Sequence, residues 1–161
     1  MRTRIPTDMA RVMHPEERLR ELGLILPDPP KPAAVYVPAV RVGDLVFTAG
    51  QGPFGTSFTG KVTSDVSLEQ AQEAARVTCL NGLAVIKAEI GDLANVRRFV
   101  KLTVFVASAP DFTDQPLVAN GASELLEQVF GENGKHARSA VGVAVLPFDI
   151  PVEIEFVAEV R

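Results

Sequence analysis

Two charged residues near the C-terminus, Arg138 and Glu153, are the best candidates for chemistry in this sequence. Arg138 precedes a run of mostly β-branched and small residues, 139–145, and Glu153 lies near the start of a second such run, 152–160. Proline and aspartate punctuate the intervening segment 146–151, so the pattern predicts two strands joined as a hairpin. The guanidinium and the carboxylate would then meet at one end of that hairpin.

An arginine beside a carboxylate suits a small anionic substrate and a hydrolytic reaction. The planar guanidinium can hold a substrate carboxylate through two parallel N–H donors, and a glutamate can position and deprotonate a water molecule. The alternative is that both residues are solvated surface charges. The alternation of side chains along a strand places Glu153, Glu155 and Glu159 together on one face, as expected of a solvent-exposed face. Spacing alone favours this second interpretation.

The sequence motifs around these residues support the first interpretation. The pair Arg138-Ser139 opens one strand, Leu146-Pro147 forms a turn, and residues 152–155 read Val-Glu-Ile-Glu. Together they resemble the C-terminal signature of the reactive intermediate deaminase family, also called the YjgF or endoribonuclease L-PSP family. Upstream, Tyr36 resembles the tyrosine of the family's Pro-Tyr motif, and Thr48-Ala49-Gly50-Gln51 resembles its Ser-Gly-Gln pattern, with Ala49 in place of the serine.

The resemblance covers about residues 35–160 and implies both an assembly and a reaction. It implies a chorismate-mutase-like fold that forms a homotrimer, with the sheets in a central barrel and three clefts between subunits. It also implies hydrolysis of 2-imino acids and their enamine tautomers, such as 2-aminoacrylate, to 2-oxo acids and ammonia without a metal or other cofactor. The partner is therefore expected to be a small 2-imino or 2-oxo acid.

The resemblance also assigns roles to individual residues. Glu153 and Arg138 are the implied catalytic residues, and Arg138, Tyr36, Gly50 and Asn120 are the implied substrate-binding residues. Two alternatives remain open. One is a non-catalytic trimer that binds a metabolite carboxylate. The other is the endoribonuclease or translation inhibitor that one family name suggests, which the acidic balance and the lack of a histidine pair disfavour.

The rest of the chain predicts an α+β domain with two helices on one face of a two-layer mixed sheet. Two β-rich runs, 35–42 and 45–49, flank a Gly-Asp turn, and a third strand is predicted at 96–106. A long helix begins at Ser67 and ends at Gly91, because Ser67 and Gln70 have the spacing of a capping box and apolar residues recur at helical intervals. A second helix is predicted within 112–130.

Residues 1–34 form a separate N-terminal arm in this prediction, with residues 35–161 as the family domain. His14-Pro15-Glu16 places proline and an acid at a helix start, and four prolines between residues 27 and 32 follow as a linker. Within the family domain, Ala140, Gly142 and Ala144 share one face of their strand. These small side chains allow close approach of another chain or of a helix of the same chain.

Composition narrows the functional classes further. The chain has 161 residues, 47% of them hydrophobic and 22% charged, which is the size and composition of one globular domain. The net charge of −4 and the scattered basic residues disfavour nucleic acid as a partner. The single cysteine excludes an internal disulfide, and the two isolated histidines lack metal-ligand spacing. No apolar run spans a bilayer and no signal peptide is evident, so we expect no membrane partner and a cytoplasmic location.

Overall fold

A five-stranded mixed sheet organises the computed structural model, which describes residues 13–161. The strands are β1 (Ala39–Val42), β2 (Leu45–Thr48), β3 (Val96–Ala107), β4 (Ala137–Val143) and β5 (Val152–Val160). Their spatial order is β1-β2-β5-β3-β4, with β3 and β4 parallel and the other pairs antiparallel. The helices are α1 (Pro15–Glu21), α2 (Leu68–Ile90) and α3 (Gln115–Phe130). The α+β class with a two-layer mixed sheet is confirmed, and α1 adds a short third helix.

Helix α2 begins and ends where the sequence predicts. The Ser67 hydroxyl accepts from the Gln70 backbone N–H at 3.1 Å, and the Gln70 side chain accepts from the Ser67 N–H at 2.9 Å. These reciprocal bonds satisfy two amide groups that the first helical turn would otherwise leave unpaired. Gly91 follows the helix with φ of +84°, a conformation that glycine adopts without a steric penalty.

The apolar stripe of α2 packs on the sheet and buries the only cysteine. Cys79 has no exposed surface, and this burial raises the pKa of its thiol, so the group stays protonated. Gly82, one turn further along, lets the Phe156 ring of β5 lie close to the helix: a Cβ at this position would be 2.5 Å from Phe156 Cε2. Small residues on α2 therefore set its short distance from the sheet.

Strand β5 alternates as predicted. Its buried residues are Val152, Ile154, Phe156, Ala158 and Val160. Glu153, Glu155 and Glu159 point to the opposite face, which no helix of the described residues covers. Large apolar side chains on that face are also exposed, including Phe47 at 43% and Val141 at 45%. The sheet therefore has one face in the core and one open face.

The predicted hairpin of the last two strands is wrong. Strand β3 lies between β4 and β5, and the two strands do not pair with each other. Strand β3, helix α3 and strand β4 instead form a parallel crossover unit, with Leu102 opposite Arg138 and Val106 opposite Gly142. Segment 144–151 contains a 3₁₀ turn, Pro147–Asp149, and carries the chain past β3 to the start of β5.

The small residues of β4 are explained by the chain's own helix. Ala140 packs against the core, and a Cβ on Gly142 would lie 2.7 Å from Gln115 Nε2 of α3 and 3.0 Å from Ser108 Oγ. Of the two explanations for this face of β4, close packing within one chain accounts for Ala140 and Gly142.

The helix predicted in the N-terminal arm is confirmed as α1. His14 caps it, because Nδ1 accepts from the Glu16 N–H at 3.2 Å, and its other ring nitrogen lies 2.8 Å from Asp92 Oδ1. Leu19 is 1% exposed within the core, and Glu16 pairs with Lys87 of α2 at 2.8 Å. Residues 1–12 of the arm lie outside the described residues, and the boundary at residue 35 stays a prediction. None of the helices between residues 13 and 161 has the length and apolarity needed to cross a bilayer.

Candidate functional site

Arg138 lies on the helix-covered face of β4, at the edge of the sheet. Its Nη1 donates to Asn120 Oδ1 at 2.9 Å and to Ser123 Oγ at 3.0 Å. These two partners are three residues apart on α3 and therefore project from the same side of that helix. Nη1 thus uses both of its hydrogens. Within residues 13–161, Nε and Nη2 have no acceptor, and the guanidinium lines a cleft of about 310 Å³.

Ser123 and His136, which the sequence analysis did not select as site residues, extend this network. His136 Nε2 lies 3.0 Å from Ser123 Oγ, and Nδ1 lies 2.7 Å from the carbonyl oxygen of Gly134. Burial, with a smaller contribution from the Arg138 charge, lowers the pKa of His136 below its usual range. The available signal was spacing: His136 stands two residues before Arg138, and Ser123 stands three residues after Asn120.

Glu153 is the second candidate group, and Gly50 lies directly against it. A Cβ on Gly50 would overlap the Glu153 carboxylate, so a larger residue at this position would displace that side chain. The Glu153 side chain is half-buried and makes no hydrogen bond or ion pair with the described residues. Burial, and secondly the nearby charge of Glu155, raise the pKa of Glu153 above its usual range. An unpaired carboxylate with a raised pKa is suited to accept a proton from water.

Tyr36 and Gly50 line one small cavity of about 110 Å³. The remaining wall includes two aromatic rings, Phe54 and Phe148, whose centroids are 6.3 Å apart in an edge-to-face arrangement. Tyr36 itself is half exposed. The structure therefore brings Tyr36, Gly50 and Glu153 to one region, built by the strand–loop segment 36–54 and by β5.

The two candidate groups do not meet within one chain. Arg138 is opposite Leu102 and Glu153 is opposite Phe105, on strands that flank β3. Their Cα atoms are offset by three residues along β3 and by two strand spacings across the sheet. The resulting distance between them is about 14 Å. Their side chains also leave opposite faces of the sheet, because Leu102 faces the core and Phe105 does not. The expected meeting of Arg138 and Glu153 at the end of a hairpin is therefore wrong.

Comparison with known proteins identifies the family. The family model described as endoribonuclease L-PSP matches residues 27–160, which is most of the chain. The chain belongs to the endoribonuclease L-PSP family. Among relatives in this family, TCP17 of Trypanosoma cruzi is 44% identical over 89% of this chain and 92% of the relative. The 2-iminobutanoate/2-iminopropanoate deaminase of Salmonella typhimurium is 37% identical over 79% of this chain and 90% of the relative.

Solved structures of endoribonuclease L-PSP relatives confirm the expected fold. The Agrobacterium tumefaciens protein Atu1372, of unknown function, superposes with a TM-score of 0.86 at 46% identity, covering 91% of this chain and 92% of its own. Escherichia coli TdcF with bound serine superposes with a TM-score of 0.56 at 30% identity, covering 83% and 93%. The resemblance to the reactive intermediate deaminases, first drawn from short motifs, thus extends over the whole domain.

Proposed function

We propose that this protein hydrolyses reactive 2-imino acids, and their enamine tautomers of the 2-aminoacrylate type, to 2-oxo acids and ammonia. The observation that carries the proposal is the state of Arg138. Its Nη1 is held by α3, while Nε and Nη2 have no acceptor among residues 13–161 and the guanidinium lines an open cleft. Paired N–H donors of this kind match the two oxygens of a carboxylate, which every 2-imino acid carries.

Glu153 supplies the base in this proposal. A water oxygen adds to the electrophilic C2 carbon, its proton passes to the Glu153 carboxylate, and the π electrons of the C=N bond move to nitrogen. Glu153 then returns the proton to nitrogen. The same carboxylate then takes the proton of the new hydroxyl and passes it to nitrogen as the C–N bond breaks, which releases ammonia and leaves the C=O of the 2-oxo acid. The raised pKa of Glu153 suits both proton transfers, because a base works best when its pKa approaches the working pH.

We propose that the two halves of the site come from neighbouring subunits of a homotrimer. One half holds Arg138 and Asn120, and the other holds Tyr36, Gly50 and Glu153. About 14 Å and the sheet itself separate them within one chain, whereas a second copy against the open face and edge of the sheet could present its Glu153 to Arg138. The exposed Phe47 and Val141 on the open face support an association there.

The relatives' names support the substrate class. The Salmonella relative is a 2-iminobutanoate/2-iminopropanoate deaminase, and TdcF binds serine, a molecule with a carboxylate and a 2-amino group. A ribonuclease function has less support, because the two histidines bond different partners, Asp92 and Ser123, and do not form an acid–base pair. We place the activity in the cytoplasm, with which the unpaired Cys79 is compatible.

Turnover of freshly generated 2-aminoacrylate tests the proposal. A pyridoxal-phosphate lyase supplies the substrate, and pyruvate release is followed with and without this protein. We expect the protein to accelerate pyruvate release. Calorimetric binding of 2-oxobutyrate without any acceleration would instead identify a non-catalytic carboxylate-binding protein. The sequence feature behind this alternative is Ala49, which lacks the hydroxyl of the serine in the family's Ser-Gly-Gln pattern. Cleavage of RNA by the same preparation would support the endoribonuclease alternative.

A further inference from the structure

A continuous chain of hydrogen bonds runs from the backbone at Gly134 to the guanidinium of Arg138. The Gly134 carbonyl can only accept, so His136 must carry its proton on Nδ1 and donate it there. Neutral His136 then has a lone pair on Nε2, which accepts the Ser123 hydroxyl proton. With its own proton committed in this way, Ser123 Oγ presents lone pairs to Arg138 Nη1. While His136 is neutral, each hydrogen bond in the chain has one possible direction.

The consequence is a fixed orientation of the guanidinium. One Nη1 hydrogen points to Ser123 and the other to Asn120, so rotation about the last side-chain bonds would break two charge-assisted bonds. The group has five N–H bonds in one plane. With Nη1 engaged, the free pair that can clamp a carboxylate is the one on Nη2 and Nε.

We propose that Ser123 and His136 are positioning residues, which aim the Nη2–Nε edge of Arg138 at the substrate carboxylate and make carboxylate binding depend on pH. This inference rests on the proposed function, since it assumes that Arg138 binds a carboxylate. In this role each residue acts through Arg138 and not through its own contact with the substrate.

The charges around His136 favour its neutral form at neutral pH. Burial, and secondly the charge of Arg138, lower the pKa of His136. From α3, Glu124 and Glu127 line the same cleft, and Lys135 lies between Glu127 and Glu132, at 3.8 Å and 2.6 Å. On β3, Lys101 donates to Ser139 on the other face of β4 and so does not face the imidazole.

Protonation of His136 reverses one bond of the chain. The imidazolium Nε2–H must donate to Ser123 Oγ, which then receives both His136 and Arg138 and loses the acceptor for its own proton. A second positive charge also arises beside Arg138. We expect this disordering of the guanidinium to outweigh the added attraction for an anion. Affinity for a 2-oxo acid should therefore fall as the pH drops through the lowered pKa of His136.

Calorimetric titration of 2-oxobutyrate between about pH 5 and 8 tests the proposal. The proteins are wild type, Ser123→Ala, Ser123→Thr, His136→Gln and the control His14→Gln, each checked for oligomeric state and unfolding temperature. Ser123→Ala should bind about threefold to tenfold more weakly at the alkaline end, and Ser123→Thr, which keeps the hydroxyl, should restore affinity. His136→Gln offers an amide oxygen to Ser123 but cannot titrate, so its affinity should be retained and its profile flat. His14→Gln should keep the wild-type profile.

A measurement without ligand separates this inference from the proposed function. The nitrogen chemical shifts of the imidazoles report the tautomer, and the chain has two histidines to assign. We expect the Nδ1–H form for His136 and a higher pKa in Arg138→Gln, which removes the neighbouring cation. The Nε2–H form, or a wild-type pH profile in His136→Gln, would overturn the inference. If wild type binds no 2-oxo acid while the tautomer is as expected, the proposed function fails and the hydrogen-bond chain stands.

Discussion

Glu153 is the residue on which turnover should depend most strongly. Glu153→Gln keeps the shape of the side chain and removes the proton acceptor. We expect imine hydrolysis to slow by about 10² to 10⁴-fold with little change in 2-oxobutyrate affinity, because a general base acts mainly in the transition state. Pyruvate release and calorimetry on the same preparations measure the two quantities. Unchanged hydrolysis would return Glu153 to the solvated face that it shares with Glu155 and Glu159.

Glu155 should tune the pH profile without taking part in the chemistry. Its charge raises the pKa of Glu153, in addition to the larger effect of burial. The base form is populated above that pKa, so kcat/KM should fall as the pH drops through it. Glu155→Gln removes the nearby charge and lowers the pKa of Glu153, which should move this acid limb to lower pH. Glu159→Gln, on the same face of β5 but beside Arg97, is the control and should leave the limb in place.

Arg138 should bind through its planar geometry as well as its charge. Arg138→Lys keeps the positive charge but offers no two-pronged fork and cannot hold both Asn120 and Ser123 from one planar group. Each charge-assisted bond contributes about 1.5–3 kcal/mol, so 2-oxobutyrate should bind at least about tenfold more weakly to both Arg138→Lys and Arg138→Ala. Calorimetry gives the affinities. Equal binding by all three proteins would place the carboxylate elsewhere on the molecule.

Sequence could select candidate site residues but not their grouping. The motifs selected Arg138, Glu153 and Gly50 because family signatures are local in the chain. Whether two side chains leave the same face of a sheet depends on strand order, and strand order is a long-range property that spacing does not carry. The contacts of Arg138 with Asn120 and Ser123 likewise depend on the crossover through α3, which was not predicted.

The elements themselves were largely predictable, because their signals are local. The capping box of α2, the turn between β1 and β2 and the alternation of β5 each follow from a few neighbouring residues. The prediction that β4 pairs with β5 was wrong because that pairing does not depend on neighbouring residues alone. Segment 144–151 is longer than a tight hairpin turn, and α3, which fits a parallel crossover, precedes β4. Burial of β3 between two strands decides the pairing in favour of the crossover.

Gly121 holds α3 at the distance that places Asn120 and Ser123. A Cβ at this position would overlap the carbonyl oxygen of Gln72 on α2, a backbone atom that cannot move aside cheaply. Gly121→Ala should lower the free energy of unfolding by about 1–3 kcal/mol, despite the intrinsic helix preference of alanine. It should also weaken 2-oxobutyrate binding. Urea unfolding and calorimetry measure both, with Glu73→Ala, exposed on α2 and outside the Arg138 cleft, as the control. Unchanged stability would show that the helices can separate freely.

The whole molecule should be active only as an assembly, and mixing two inactive variants tests this. Arg138→Ala keeps an intact Glu153, and Glu153→Gln keeps an intact Arg138. If one subunit supplies the arginine and the next the glutamate, random trimers of an equal mixture contain about a quarter of fully native sites. Unfolding and refolding the two variants together should therefore restore pyruvate release to about that level.

Each variant refolded alone is the control for this experiment and should stay inactive. Light scattering should report a trimer for every sample. A mixture without activity, although its subunits have exchanged, would contradict a site shared between chains. A monomer across micromolar concentrations would remove the shared site altogether.

The burial of Cys79 makes its thiol a reporter of how often the core opens. Thiol reagents attack thiolates that solvent can reach, and this sulfur is neither ionised nor accessible in the folded chain. Labelling therefore requires α2 to separate from the sheet, so the labelling rate measures how often the core opens. Because the sequence has one cysteine, every modified molecule carries the label at the same residue, and mass spectra taken at intervals give the labelled fraction over time.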